Sequence, residues 1–432
     1  MSEVLASNAC PETHIGRSDT DEEQEGQVNL ADHRAPLDLI VRNGRIFDPG
    51  SGLDLVSDIG VRLGRIVAIG ADLPQRASQV TYPPHLGTQV IDATGLLVTP
   101  GFIDLHAHVY TGVCPLTVPA DETSSRSGVT TVVSAGDAGA NTIEGFRQLV
   151  VERNRTRVLA FLHISTIGLA GWPVGESVQL DMLDRDRALR AIAEHPDIIV
   201  GIKVRETAPD VVGQNGLEPL RRALDVGREA DLPVMCHIGN TPEVLTSVLD
   251  MLRPGDILTH CFTGSANNLV NEGTLVQGAK EAYQRGVIFD IGHGFGSYDF
   301  TVAEIAVAEG IWPTTISTDI HSLSAASAMK DLPLTMSKLL SLGMSLENVI
   351  DAVTRKPAEA IHRQSDLGSI AVGRVADLTL VEIGHADVLC MDAYGNQRTL
   401  SNQVLVRGTI RAGLPWGGPY PHPAVSFAVR AL

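Results

Sequence analysis

Phe102-Ile103-Asp104-Leu105-His106-Ala107-His108 is an apolar run that ends in two histidines two residues apart. On a strand, residues i and i+2 point to the same face, so both imidazoles can reach one ion. Alone, the pair has an ordinary alternative: exposed histidines at a strand end. Its weight comes from similar runs downstream. His237 ends Leu232-Pro233-Val234-Met235-Cys236, His260 ends Asp256-Ile257-Leu258-Thr259, and Asp319 ends Ile316-Ser317-Thr318. Lys203 and Arg205 lie in Ile199-Val200-Gly201-Ile202-Lys203-Val204-Arg205.

Beginning with Leu96 to Leu105, the apolar runs continue at Thr130–Ser134, Val158–Ile164, Ile198–Val204, Pro233–Ile238, Ile257–Phe262, Val287–Ile291 and Thr315–Thr318. Segments of helical pattern separate most of them: Asp184–Glu194, Leu217–Ala230, Glu243–Leu252 and Asn267–Arg285. Eight strand candidates spaced by helices predict an α/β fold, a (β/α)8 TIM-type barrel over residues 98–364, in preference to an open sheet. Both flanks read as short strands and tight turns. Leu37 to Asp48 has Asn43-Gly44 between apolar runs, a hairpin signal, and Asp58 to Ile69 repeats the pattern around Gly64. Similar strands recur at Gly373–Val381 and Val404–Ala412. Each flank is too short for a stable sheet, so residues 37–97 and 365–420 are expected to form one small composite β-sandwich.

The chain has 432 residues, room for a barrel of about 250 and a smaller unit. Residues 1–36 are polar and aperiodic and read as a flexible tail, in which His14 and His33 are solvated. A formal charge of −18 argues against nucleic acid as a partner, because phosphate binding needs a basic surface. Five scattered cysteines without a CxxC pair (Cys10, Cys114, Cys236, Cys261, Cys390) suit a reducing compartment. With no signal-peptide core and no run of membrane-span length, the expectation is a cytoplasmic protein that does not engage a membrane. A homo-oligomer is compatible with the sequence.

Neutral imidazole is a standard ligand for zinc and its neighbours, although His237 and His260 could also cap core strands with ordinary hydrogen bonds. Asp319 could be a helix N-cap, or equally a ligand and proton carrier. Lys203 sits in an apolar strand, where burial penalises its charge. A depressed pKa followed by reaction with CO2 would give a carbamate able to bridge two cations. Pairing with a buried acid, or a head that reaches solvent, is the alternative. Arg205 shares the face of Lys203 and could clamp a substrate carboxylate or pair with a loop acid. His293, in a Gly-flanked loop after the seventh run, is expected to contact substrate. His163 and His321 read as supporting residues, and Cys236 and Cys261 as core.

Pro100 to His108, followed in order by Lys203, His237, His260 and Asp319, resembles the amidohydrolase superfamily. Val353-Thr354-Arg355-Lys356-Pro357-Ala358-Glu359-Ala360 and Gly368 to Leu378 are similar to that superfamily's return into its composite β-domain. A lysine on the fourth strand implies the binuclear subtype. By the resemblance, His106, His108 and Asp319 hold one divalent ion and His237 and His260 a second, zinc in each case, with carboxylated Lys203 bridging them. A hydroxide between the ions would be the nucleophile, with Asp319 as proton shuttle.

A narrower likeness, through Gly201–Arg205, Thr259–Gly264 and Phe289–Gly294, is to the amidohydrolase/deacetylase group, often labelled dihydroorotases. Ser134 and Asp137 depart from that group, for which Asp and Ser are expected at the two positions. The resemblance implies hydrolysis of an amide or ester, acetyl or other acyl, in a small carboxylate-bearing substrate. Opening of a cyclic amide, as in dihydroorotase-like or hydantoinase-like enzymes, is the alternative. A non-catalytic barrel scaffold is disfavoured, because the whole expected ligand set is present.

Overall fold

Seven strands form one curled sheet in chain order: Phe102–Ala107, Val129–Gly139, Arg157–His163, Ile199–Thr207, Val234–Gly239, Ile257–Thr259 and Ile288–Asp290. Every neighbouring pair is parallel. The eighth run joins by single parallel bridges, Asp290 to Thr315 and Ala107 to Ile320. Backbone bonds from His293 to Ser317 (3.3 Å) and from Asp319 to His106 (2.7 Å) help close the ring there. A regular strand is interrupted in this segment because Asp319 is left-handed (φ 50°) and the Asp104 carboxylate accepts the Thr318 N–H at 2.9 Å. The computed structural model describes residues 36–71, 73, 88–207, 209–241, 243–416 and 427–428. The expected tail apart from Pro36, with Cys10, His14 and His33, lies outside the described residues, as do residues 417–420 of the expected composite unit.

Inside the ring Leu105, Val133, Ala135, Leu159, Phe161, Met235 and Ile257 are buried together, with Ala360 and Ile361 packed against them. Residues two apart share a strand face. Phe161 is therefore followed by His163, Gly201 by Lys203 and Arg205, and Met235 by His237, taking each strand from an apolar layer to a polar one at its C-terminal end. Cys236 and Cys261 face the other way and are buried in the layer between strands and helices, as expected. No helix among the described residues is long and apolar enough to cross a membrane.

Three expected elements differ. The run from Leu96 to Leu105 divides into Leu97–Pro100, in the flanking sheet, and Phe102–Ala107, in the barrel. Pro100 brings no N–H to a ladder, and a Cβ on Gly101 would lie 2.3 Å from Thr130 Oγ1, so the chain crosses between the sheets here. Asn43-Gly44 is a bulge within one strand, Leu39–Asp48, not a hairpin turn. Asn43 takes φ 59° there, and its N–H donates to Asp58 Oδ1. Of the helix expected over Asn267–Arg285 only Ala279–Arg285 is helical. Val270–Asn271 and Thr274–Leu275 pair instead across Glu272-Gly273, both with positive φ, a turn that outweighs helical patterning.

The flanking sheet contains strands from both ends of the chain. Leu39–Asp48 pairs with Leu53–Arg62, Gln89–Asp92 and Leu97–Pro100, and the last pairs with Leu378–Gly384, which pairs with Gln403–Arg411. Asp377 ties this sheet to the barrel. Its carboxylate accepts from Arg157 on the third barrel strand (2.6 Å), from Arg411 (3.3 Å) and from the Ala412 N–H (2.7 Å). Its carbonyl accepts from Gly101 at 2.8 Å, at the crossing point. Asp377→Ala leaves two largely buried guanidinium groups without their carboxylate. A loss of roughly 3 kcal/mol is expected, read as an earlier urea midpoint, with catalytic constants little changed.

Candidate metal centre

His106, His108 and Asp319 come together at the C-terminal end of the ring, with all three offered ligand atoms within 4.8 Å of one another. Asp319 Oδ1 lies 3.4 Å from His106 Nε2 and 3.1 Å from His108 Nε2. Lys203 Nζ is 3.2 Å from His106 Nε2 and 3.5 Å from Met235 Sδ. His237 Nδ1 faces His260 Nε2 at 3.0 Å, and the His260 ring centre is 5.0 Å from that of His106. The six residues that the sequence singled out as ligands thus meet in one place.

Their outer partners fix which ring nitrogen faces inward. Thr259 donates its hydroxyl hydrogen to Asp290 Oδ2 (2.7 Å), so its oxygen accepts from His106 Nδ1 (2.8 Å). His106 therefore turns a bare Nε2 to the centre. His108 Nδ1 lies 2.6 Å from Asp137 Oδ1, and Asp137 Oδ2 accepts from Val109 N–H, Tyr110 N–H and the Ser134 hydroxyl. His260 donates from Nδ1 to the Gly292 carbonyl at 2.6 Å. Such outer partners orient metal-ligating histidines and raise their basicity. The bare His106 Nε2 and the Asp319 Oδ1 face each other at 3.4 Å as two acceptors, an arrangement that a cation between them would relieve, so the donor set fits divalent metal.

Burial and neighbouring charges shift several of these groups. Burial drives the Lys203 ammonium down to about 7, so the neutral amine is well populated at neutral pH. Burial also opposes charge on His108, yet Asp137 and Asp319 outweigh it and raise the imidazolium to about 9. For Asp319 burial acts upward, but His108 and His321 prevail and hold the carboxyl well below the usual carboxylate range. Two of the six residues have left-handed backbone, His260 (φ 69°) and Asp319 (φ 50°), a strain that functional sites commonly carry.

Two glycines are required by close approach. A Cβ on Gly136 (φ 90°) would sit 2.6 Å from Lys203 Cγ, and one on Gly294 (φ 53°) would sit 2.3 Å from Asp319 Oδ2. A cavity of about 130 Å³ opens beside the ligands, lined by His108, Asp319, His321 and Arg205 and by an apolar wall of Leu116, Leu169 and Trp172. Cys114 also lines it, and burial pushes its thiol well up, so it is a neutral wall group.

Arg205 reaches the cavity already paired, its Nη1 at 3.0 and 3.2 Å from the two oxygens of Glu176. His293 is placed otherwise than expected. Its ring is fully buried away from the cavity wall, stacked on Tyr298, with Nε2 2.7 Å from Lys338 Nζ. The loop's apolar interior, rather than the mouth, claims this side chain. Asp137, Glu176 and Asp290 were not picked out as site residues by sequence, since a lone acid in a loop or at a strand end carries no pattern. The one signal was Asp137's unexpected place beside Ser134, which the fold joins by a hydrogen bond of 2.8 Å.

Residues 89–235 and 274–413 match two sequence profiles, each described as an amidohydrolase family. A deacetylase of Agrobacterium fabrum is 38% identical over 335 residues, 77% of this chain and 80% of that protein. Crystal structures of an adenine deaminase and of a dihydroorotase each superpose with a TM-score of 0.80. They are 32% and 33% identical and match 88% and 90% of this chain and the whole of theirs.

Removing the Asp137 carboxylate frees the His108 ring. Asp137→Ala is expected to weaken divalent-metal binding about 10–100-fold in chelator competition while the circular dichroism spectrum is kept. Gly136→Ala pushes on the Lys203 stem, and metal analysis after loading and dialysis is expected to find less divalent metal than in the wild type.

Proposed function

This chain belongs to the amidohydrolase family and is a hydrolase of C–N bonds; we propose that its substrate is a small carboxylate-bearing molecule from which it removes an acyl group held as an amide or ester. The observation that supports this reading best is the convergence of four imidazoles, Lys203 and Asp319 beside a small cavity that also contains Arg205. His106, His108 and Asp319 would hold one divalent ion, zinc, and His237 and His260 a second. Lys203, as a neutral amine, would add to CO2 with loss of a proton, and the resulting carbamate oxygens would complete both ligand sets. When bound, the ions supply Lewis acidity, which acidifies water and polarises a carbonyl.

The remaining work falls to side chains. Asp319, ionised and at the cavity wall, takes a proton from the attacking water on its carboxylate oxygen and returns it to the departing nitrogen or oxygen. The C–N or C–O bond breaks as the new C–O bond forms, leaving a carboxylic acid and an amine or alcohol. Arg205 would orient the substrate through its carboxylate, and Leu116, Leu169 and Trp172 would exclude water from the other side.

Opening of a cyclic amide is the second reading, favoured by the likeness to the crystal structure described as a dihydroorotase. A panel of acetylated hydroxy acids, N-acyl amino acids and cyclic ureides, run with zinc-reconstituted protein, separates the two. Turnover of the acyl compounds is expected, and turnover of ureides alone would reverse the assignment. Asp319→Asn should lower kcat by about 10²–10⁴-fold. Stripping metal with a chelator should abolish turnover, and zinc should restore it; a protein that binds no divalent metal under any loading condition would sink the proposal.

A further inference from the structure

The geometry points to Glu176 as the positioning residue that fixes how Arg205 presents its donors to a substrate carboxylate, an inference that rests on the carboxylate-bearing substrate proposed above. Both Glu176 oxygens engage a single guanidinium nitrogen, Nη1. Among the described residues Nε and Nη2 have no hydrogen-bond partner, although Arg205 lines the cavity. Those two nitrogens form one edge of the guanidinium, whose parallel N–H groups match the two oxygens of a carboxylate. Glu176 thus occupies the one nitrogen that this edge does not need.

Glu176 is itself a built-in group, only 5% exposed. Beside it His163 Nδ1 accepts from the Ser165 N–H at 2.9 Å, which places the hydrogen of the neutral ring on Nε2. That buried nitrogen lies 3.6 Å from Glu176 Oε1 and has no other partner. The backbone beneath is wedged as well. A Cβ on Gly175 would lie 1.9 Å from the Asp210 carbonyl oxygen, the Ser177 N–H donates to Val211 O (3.1 Å), and Asn215 Nδ2 donates to Ser177 O (2.8 Å). Asp210 and Val211 follow directly on the strand that carries Arg205. The loop of Glu176 also brings Leu169 and Trp172 to the cavity, so one ion pair locks the charged and apolar walls together.

The test uses the zinc-loaded full chain and two probes of one shape, benzoate and its neutral isostere nitrobenzene, titrated by calorimetry. Arg205→Met is expected to raise the benzoate Kd at least tenfold. Glu176→Ala, which frees the guanidinium to rotate, is expected to raise it about tenfold too. Glu176→Gln retains an acceptor oxygen for Nη1 and should stay within about threefold of wild type. Nitrobenzene should change little in every variant, a selectivity that mere loosening of the fold would not produce. If Glu176→Ala does not fold, Glu176→Asp, whose oxygens are withdrawn by one methylene, replaces it with the same expected loss. A benzoate Kd unmoved by Glu176→Ala (or Asp) but raised by Arg205→Met overturns the inference, as does a Gln variant as weak as Ala. A wild type that does not prefer benzoate, or an Arg205→Met that keeps the preference, overturns the carboxylate reading instead.

Discussion

The hydrogen-bonded line from Asp290 through Thr259 to His106 underlies much of the architecture at the mouth of the barrel. Asp290 is wholly buried and accepts three hydroxyls at 2.7 Å, from Thr259, Thr315 and Ser317. A buried carboxylate demands such donors, because its desolvation must be offset by hydrogen bonds. In meeting that demand it joins the sixth and seventh strands to the irregular eighth segment, and through Thr259 it reaches the first. The same bonds settle the His106 tautomer. Closure of the ring and readiness of a ligand are therefore one set of interactions.

Tightness around that line explains the local irregularities. His260 and Asp319 leave the strand conformation just where their side chains must turn inward. Gly136, Gly292 and Gly294 leave room for Lys203, for Thr259 and His260, and for Asp319. Any Cβ at these positions would occupy space that a side chain of the candidate centre holds. Asp104 adds a second clasp between the first strand and Thr318, and burial raises its carboxyl to about 7 even though Thr318 donates to it. The polar upper layer stands on an apolar one in which Phe161 and Met235 fill the ring, and Met235 Sδ touches Lys203 directly.

Much of this was legible in the residues. The barrel followed from alternating apolar runs and helical segments, and the candidate ligands were picked out as polar residues at the ends of those runs. Turns were read less well. Asn43-Gly44 carries the signal of a hairpin, but the strand continues through it, since a bulge also accommodates positive φ and Asp58 is there to take the free N–H. Glu272-Gly273 produced a hairpin within a stretch of helical pattern, as two residues of positive φ bring its short strands together. The pair Val388–Met391 and Gln397–Leu400, which accepts Lys338 at the Met391 carbonyl, had no counterpart in the reading at all.

What the sequence by itself determined is the order of chemical groups and their spacing along strands. Period-two alternation turns that spacing into a shared face, so His106 with His108 and Lys203 with Arg205 could be assigned before any fold was known. The tertiary structure decided which groups meet across strands, and hence which become partners of the ligands. Asp137, Asp290 and Glu176 lie far in sequence from His108, His106 and Arg205, and a hydrogen bond between distant residues leaves no periodic trace. His293 shows the converse: a glycine-flanked histidine in a mouth loop looked available, and only the packing of Tyr298 and Lys338 around it put the ring inside.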